Sequence, residues 1–444
     1  MNRLSEGISI FSPNSGYFGI VMDMGHGTKK WMLLCLLIIF PLVALAQRNE
    51  IMSNRIRSLQ VVAGENWQDP PIISLEEAKR MGTGRTIRIS FDDMTHEYHR
   101  YVYRVVHCDA DWKESSSLFA SDYIEGFNDA VTIEDNITES VNTNTLYTHY
   151  GFQIPNERCS LKMSGNYRVM VFDENDENSP ILSACFMVVD PRMGTSVRMT
   201  TNTDVDVNNR HQQVEMTLNY GDVNVTDWRS QIKTVVLQNL RYDHAVVNAE
   251  PTYITSKGLA WNHNRKLIFD GGNEYRKFEM LDESTVGLGI SEMDWDNGHY
   301  HAYLWPAEAR LSYVYEESGN GAFLLRNRDN REAEYTSEYV WVHFSLPSDR
   351  LPGEVYVNGR WTNDLFLPQY RMTYDEKKHR YETTIPLKLG YYSYQYVQVL
   401  ADGRTALIPT EGNFYQTRNR YTFLVYYRPI GARTDYLMGY ADLK

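Results

Sequence analysis

The chain has 444 residues, and its 57 acidic and 44 basic side chains give a formal net charge of −13. An acidic chain without a basic tract is repelled by phosphates, which argues against a nucleic-acid partner. The length exceeds what one hydrophobic core usually covers, so two or three domains are expected. Aromatic residues make up 13% of the chain, and they favour sheets because rings pack well on a pleated, half-buried surface.

The N-terminal region has the layout of a signal peptide. Lys29 and Lys30 precede an apolar run at residues 31–45, which closes on the small residues Ala44 and Ala46. The run is shorter than the roughly 20 residues that span a hydrocarbon core, so a retained membrane helix is the weaker interpretation. We expect cleavage after Ala46 and a mature protein in the periplasm. Residues 1–23 show no targeting pattern, and an upstream start codon is the simplest explanation for them.

The first predicted unit covers residues 47–190. Alternation in residues 98–107 places Tyr101, Tyr103, Val105 and His107 on one face of a strand. Further short strands are predicted at 148–154, 166–172 and 181–188, while 74–81 is at most a short turn of helix. Antiparallel strands at this spacing predict a β-sandwich.

Two further units follow the Pro- and Gly-containing segment 190–194. The predicted fold is all-β, with three immunoglobulin-like or β-sandwich domains in series. A middle domain is predicted at 191–336, with strands at 214–218, 234–238, 275–280, 299–304 and 322–325. A C-terminal immunoglobulin-like domain is predicted at 337–430, before a tail at 431–444, with strands at 338–344, 354–357, 381–385, 391–399 and 420–427.

Cysteine usage allows at most one internal disulfide in the mature chain. Only Cys108, Cys159 and Cys185 remain after the predicted cleavage. If a pair forms, Cys159 with Cys185 is the preferred one.

The most distinctive local motif is His107-Cys108-Asp109-Ala110-Asp111-Trp112. A Cys-His nucleophilic pair is disfavoured, because adjacent strand residues point to opposite faces of a sheet. The preferred interpretation is a strand end followed by a turn with a packed Trp112. An EF-hand at Asp109 is excluded by its sixth and twelfth positions, although a looser calcium site here or at 173–176 stays an alternative.

Other catalytic and metal-binding signatures are absent from the sequence. His299 and His301 share one strand face, but no third ligand is evident. No Gly-x-Ser-x-Gly or phosphate-binding glycine loop occurs. We therefore expect no catalytic residue, cofactor or metal site, and no enzyme. A hydrolase whose site is assembled only in space is the remaining enzymatic alternative.

Several sequence segments together resemble one protein family. They include Ser90-Phe91-Asp92-Asp93, the motif around His107 to Trp112, Trp341-Val342-His343-Phe344, and residues 123–128, 147–150, 163–167, 235–239, 271–276 and 425–433. These segments resemble the plug protein of the type IX secretion system of Bacteroidetes, over residues 56–439. The resemblance implies a soluble periplasmic protein that docks on a very large outer-membrane β-barrel translocon and closes its empty channel.

The same resemblance implies that His107, Cys108, Asp109, Asp111 and Trp112 form a structural family motif. It implies a protein partner and no small-molecule substrate. For partner binding, the residues put forward are Arg428, Arg433 and Tyr436, because a mobile chain end can reach a partner.

The third unit has a more distant likeness to glycogen-binding modules, carried by residues 355–364, Met372, 381–382 and 390–396. Those modules stack glucan on two tryptophans, and the matching positions here are Asp364 and Thr405. The loss of both rings indicates the fold without the ligand. A periplasmic or surface carbohydrate-binding protein is nevertheless the alternative function, since the many tyrosines could stack on sugars.

Overall fold

The computed structural model describes residues 49–82, 84–126 and 130–444. The predicted signal peptide and its cleavage point lie outside these residues. Within them, no helix is both long and apolar enough to cross a membrane. Secondary structure is almost entirely β, as the alternating patterns predict, and three two-sheet sandwiches form three cores.

The first sandwich packs a sheet in the order β1-β12-β11-β5-β7, with β3 added to β12, on a second sheet in the order β2-β4-β9-β8. Its core includes the stacked pair Phe91 and Tyr150. The strands are β1 Glu50–Ile51, β2 Ile56–Ala63, β3 Ile72–Ser74, β4 Ile87–Asp93, β5 Tyr101–Cys108, β6 Ile124–Gly126, β7 Val131–Thr132, β8 Ile137–Glu139, β9 Thr148–Ile154, β10 Cys159–Leu161, β11 Gly165–Asp173 and β12 Asp176–Val189.

Seven strands of the middle sandwich follow directly along the chain. They are β13 Gly194–Thr200, β14 His211–Asn219, β15 Ile232–Gln238, β16 Arg241–Val247, β17 Tyr253–Thr255, β18 Gly258–Trp261 and β19 Ile268–Asp270. One sheet has the order β13-β14-β18-β17, with β19 on β14. The other sheet begins as β16-β15 and is completed by strands from the end of the chain.

The third sandwich has its sheets in the orders β20-β28-β23, with β25 and β29 on β28, and β21-β22-β24-β27-β26. Its strands are β20 Arg276–Met280, β21 Ile290–Asp296, β22 His299–Leu304, β23 Phe323–Leu325, β24 Tyr339–Pro347, β25 Glu354–Asn358, β26 Thr373–Asp375, β27 Arg380–Lys388, β28 Gly390–Val399 and β29 Thr405–Leu407. The predicted strands at 275–280, 299–304 and 322–325 therefore exist, but they pair within this sandwich rather than with the middle strands.

The chain then returns to the middle sandwich through β30 Tyr421–Tyr427 and β31 Tyr436–Leu443. Strand β30 lies between β15 and β31. The predicted strand 420–427 thus exists but is not in the third sandwich, and the tail 431–444 contains an ordered strand. Local patterning identifies a strand and its buried face, whereas its neighbour is chosen by contacts far apart in sequence.

Besides four single turns of 3-10 helix at Arg265–Leu267, Arg360–Thr362, Pro368–Tyr370 and Pro409–Glu411, the described part of the chain has four short α-helices. They are α1 Leu75–Lys79, α2 Ala120–Tyr123, α3 Trp228–Gln231 and α4 Ala333–Thr336. Ser74 caps α1 by accepting from the backbone N–H of Glu77, while the Glu77 side chain accepts from the Ser74 N–H. The sequence expectation of a short helix here is therefore met.

Cys159 and Cys185, the preferred pair if a disulfide forms, lie in different apolar cores and are not joined to each other. Cys159 lies in the core of the first sandwich. Cys185 lies on the opposite face of its sheet, in a cluster that packs β12 and β5 against β15, β30 and β31. That cluster is a fourth apolar core, between the first and middle sandwiches.

Candidate docking surface

The motif around Trp112 forms the turn after β5, as the sequence predicts. The Trp112 N–H donates to the Asp109 carbonyl at 2.8 Å, and the Trp112 backbone has φ of 62°. This left-handed conformation is unfavourable for a bulky residue. The indole is buried and meets the Tyr242 ring of the middle sandwich edge-on at 6.2 Å. Burial of the ring in the inter-sandwich core offsets the backbone strain.

Asp109 joins the first sandwich to the turn between β30 and β31. Its carboxylate accepts from Thr434 Oγ1 at 2.6 Å, Arg428 Nη2 at 2.7 Å and the Asp435 N–H at 3.2 Å. Burial alone would raise the pKa of Asp109, but hydrogen bonds from Thr434 and Arg428 outweigh it and hold that pKa below its ordinary value. Asp109, Arg428, Thr434 and Asp435 are called the Asp109 joint below.

His107 and Cys108 do not form a catalytic pair. His107 Nε2 lies 3.2 Å from the Ser164 carbonyl, and a Cβ on Gly165 would lie 2.2 Å from this nitrogen, so the glycine is required by close approach. Cys108 faces the other side of the sheet, in the inter-sandwich core. Burial raises the pKa of its thiol to about 12, so the thiolate is scarce at neutral pH.

The remaining predicted site residues lie close to this joint. Asp111 pairs with Lys113 at 2.9 Å on the surface. Arg433 Nη2 lies 2.9 Å from Asp122 Oδ2 of the first sandwich, and Tyr436 packs on the middle core. The structure therefore brings the family motif and Arg428 together, and it engages Arg428 and Arg433 within the chain. Their role in partner binding stays a prediction.

A second joint connects the first sandwich to the third. Asp92 accepts from Lys388 Nζ at 2.6 Å and from the Tyr339 hydroxyl at 2.7 Å, and His149 Nδ1 lies 2.7 Å from its other oxygen. Burial would raise the pKa of Asp92, but the Lys388 charge and His149 outweigh it and lower that pKa. Lys388 also lies 4.0 Å from the Tyr147 ring centroid. These residues are called the Asp92 joint.

A third joint clamps the loop before β3. Arg420 of the middle sandwich donates to the Gln68 carbonyl at 2.6 Å, and Arg360 of the third donates to the same oxygen at 2.9 Å. Arg420 also pairs with Asp442. One loop of the first sandwich is thus held by both of the others.

The two positions that match glucan platforms lie against the middle sandwich. Thr405 Oγ1 donates to Asp243 Oδ2 at 2.7 Å and lies 2.7 Å from His244 Nε2, both on β16. Burial and the Asp243 charge raise the pKa of Asp364 to about 6. The hydroxyl of Thr405 is thus engaged within the chain, and neither position carries the aromatic ring on which a glucan would stack.

An exposed row of rings covers the outer face of the third sandwich. Its residues are His299, His301, Tyr303, Trp305, Trp341 and His343, called the aromatic face below. Trp305 is 65% exposed, and Tyr303 and Trp341 are each 37% exposed. The alternate residues of β22 and β24, such as Ala302 and Val342, are fully buried, so strand alternation places the rings on the outside.

The inner rings of the aromatic face stack on one another. Tyr303 stacks on His343 with centroids 4.2 Å apart and planes 8° apart, and His301 stacks on His343 at 5.2 Å. A stacked sugar needs an open ring face, so this row is a poor carbohydrate platform. Tyr339 and Lys388 lie at one end of the same sheet face, and the first sandwich covers this end.

The rest of the sheet face is the aromatic face, which no other sandwich covers in the described part of the chain.

The segment between β22 and β23 also presents apolar side chains to solvent. Leu311 is 90% exposed and Val314 is 66% exposed. The segment is anchored nearby, because Arg310 pairs with the buried Glu411 and the Tyr313 hydroxyl donates to Glu274 at 2.8 Å. Exposed apolar side chains on an anchored loop are typical of a binding surface.

The aromatic face carries no sequence motif of its own. The shared strand face of His299 and His301 was visible in the sequence, and extending the same alternation to Tyr303 and Trp305 would have found the row. The exposure of these rings cannot be predicted from the sequence, because a strand that is buried on both faces also carries aromatic residues on both faces.

Comparison with known proteins finds a protein family and several solved structures that are similar to this chain. Residues 56–190 match the family described as type 9 secretion system plug protein, first domain. A hypothetical protein from Parabacteroides merdae, known from a crystal structure, is 36% identical, with a TM-score of 0.84 over 89% of this chain and 98% of that one. A search of curated proteins found no match.

Proposed function

Because this chain belongs to the type IX secretion system plug protein family, we propose that it docks on the periplasmic side of the outer-membrane translocon barrel and plugs its empty channel. The match of residues 56–190 to the plug protein's first domain carries this proposal. Occlusion of a wide pore requires volume and surface complementarity, and no bond is made or broken. The protein then acts without catalysis, and its partner is another protein of the secretion machinery.

The three joints support this proposal because a stopper must be stiff. A chain of sandwiches connected only by linkers would rotate at each junction. Here the Asp109 joint links the first sandwich to the middle one, and the Asp92 joint links the first to the third. The clamp on Gln68 ties one loop to both of the others, and Thr405 links the third sandwich directly to Asp243 of the middle one. The apolar core between the first and middle sandwiches adds to their attachment.

The aromatic face is the surface that we propose contacts the translocon. Aromatic side chains, and tryptophan above all, are enriched among the residues that dominate binding energy at interfaces. Trp305 and Trp341 are exposed and lie beside a surface that already binds a sandwich. The barrel is the proposed occupant, since it is the partner that the family implies.

The test combines isolation of the complex with a barrier assay. A tagged wild-type protein is expected to co-isolate with an outer-membrane protein of very high mass, and its deletion is expected to make the outer membrane leaky to large solutes. The double variant Trp305→Ala/Trp341→Ala removes exposed rings, so it should keep the wild-type unfolding temperature and lose co-isolation. The matched control is Tyr253→Ala, an exposed ring on the middle sandwich.

The proposal fails if the wild-type protein co-isolates with no outer-membrane protein and the deletion strain keeps an intact barrier. If the complex forms but the tryptophan variant binds as well as Tyr253→Ala, docking stands and the assignment of the aromatic face is wrong.

Two features of the third sandwich argue against carbohydrate binding, the alternative function. Asp364 and Thr405 lie against β16, and the inner rings of the aromatic face are stacked on one another. Affinity electrophoresis through glucan is therefore expected to show no retardation.

A further inference from the structure

Two histidines of the aromatic face meet across neighbouring strands. His301 lies on β22 and His343 on β24, which run parallel. Nδ1 of His301 and Nε2 of His343 are 2.9 Å apart. Both side chains are half-buried, so this pair of nitrogens is held by the sheet and still open to solvent on one side.

The other ring nitrogen of each histidine faces an oxygen. His301 Nε2 lies 3.3 Å from the Asp296 carbonyl oxygen, and His343 Nδ1 lies 2.9 Å from Thr384 Oγ1. Metal-binding histidines almost always donate their second ring N–H to such an oxygen, which fixes the ring orientation and directs the free lone pair at the metal. Both rings therefore already have the supporting contacts of a metal ligand.

A single proton rearrangement makes both inner nitrogens available. Without metal, the pair is satisfied when Thr384 donates to His343 Nδ1 and His343 Nε2–H donates to His301 Nδ1. If the Thr384 hydroxyl turns to accept from His343 Nδ1–H, both inner nitrogens carry lone pairs that face each other. Tetrahedral zinc with Zn–N bonds of about 2.0–2.1 Å places two nitrogens about 3.3 Å apart. The nitrogens need to separate by only a few tenths of an ångström, and both rings need to turn so that their lone pairs converge on the ion.

We propose that His301 and His343 form a two-ligand binding site for a divalent transition-metal ion such as Zn²⁺. In the part of the chain that the structure describes, no group of three or more His, Cys, Asp or Glu side chains surrounds one point. The site therefore supplies two protein ligands, and water fills the remaining positions in the isolated protein. The carboxylate of Asp294, opposite His301 in the neighbouring strand, adds a favourable negative charge. Imidazole pairs favour zinc, copper and nickel over calcium or magnesium.

The test is calorimetric titration of the mature protein with Zn²⁺ at neutral pH, alongside single variants. Wild type is expected to bind one ion per chain, and His301→Gln or His343→Gln is expected to weaken binding at least tenfold. The matched control is His263→Gln, which removes an exposed histidine of the middle sandwich that pairs with Asp204 and should leave binding unchanged.

A further variant distinguishes loss of metal binding from loss of folding. Thr384→Val keeps both histidines but removes the oxygen beside His343 Nδ1, so binding should weaken several-fold while the metal-free unfolding temperature stays near that of wild type. The proposal is overturned if wild type binds no stoichiometric Zn²⁺, or if the two glutamine variants bind as tightly as His263→Gln.

Discussion

The Asp92 and Asp109 joints use the same chemistry in different surroundings. In each, a carboxylate of the first sandwich accepts from a cation and a hydroxyl of another sandwich. The side chains of Asp92 and Lys388 are at most 1% exposed, whereas those of Asp109 and Arg428 are 23% and 32% exposed. Water can replace a lost partner in the second joint but not in the first. Burial, rather than the list of bonds, therefore decides what each joint contributes to stability.

Lys388→Met tests the buried joint, and the largest effect is expected here. Removal of the ammonium leaves the buried Asp92 charge without its lysine partner and with only His149 and Tyr339 beside it, which costs about 3–5 kcal/mol of unfolding free energy. Urea unfolding measures the loss. The control is Arg350→Met, which breaks the exposed pair with Glu376 and should cost less than about 1 kcal/mol. Equal losses in the two variants would contradict the comparison.

Asp92→Asn in the Lys388→Met background sharpens the same point. With both charges removed, no uncompensated ion remains, so the double variant should be more stable than Lys388→Met alone. The recovered free energy is measured from the same urea unfolding curves. If the double variant loses as much unfolding free energy as the two single variants together, packing rather than charge dominates the stability of this joint.

Asp109→Asn is expected to have a smaller effect. The amide keeps the size of the side chain but loses the charge that Arg428 and Thr434 stabilise, and a hydrogen bond to a charged group contributes about 1.5–3 kcal/mol. Urea unfolding of Asp109→Asn beside Lys388→Met ranks the two joints. A loss as large as that of Lys388→Met would contradict the ranking by burial.

The smallest effect is a pH dependence of the Asp109 contribution. Its folded-state pKa lies below the ordinary value, so the unfolded chain takes up the proton first and stability falls as the pH falls. The stability difference between wild type and Asp109→Asn should be complete above about pH 4 and should shrink below it. Urea unfolding midpoints of both proteins, measured from pH 3 to pH 7, test whether the stability difference falls as the pH falls. A difference that persists unchanged to pH 3 would be inconsistent with it.

Alternation predicted the fold class because most strands bury one face. It could not assign β30 to the middle sandwich, since every residue of Tyr421–Tyr427 is buried and the strand would suit any core equally well. The same limit explains Arg428. A basic residue near the chain end suggests an exposed contact, whereas one of its two carboxylate partners, Asp109, is 319 positions earlier in the chain. Local patterns carry no information about pairs so far apart.

The return of β30 and β31 to the middle sandwich affects how the protein is made. Synthesis delivers β15 early, together with its neighbour β16, but β30, which pairs with the other edge of β15, emerges only after the whole third sandwich. Until then the nascent chain exposes an unpaired apolar sheet edge, which invites wrong association. The first and third sandwiches can collapse as they appear, whereas the middle one must wait, so a chaperone that shields β15 during this delay would act on the most vulnerable part of the molecule.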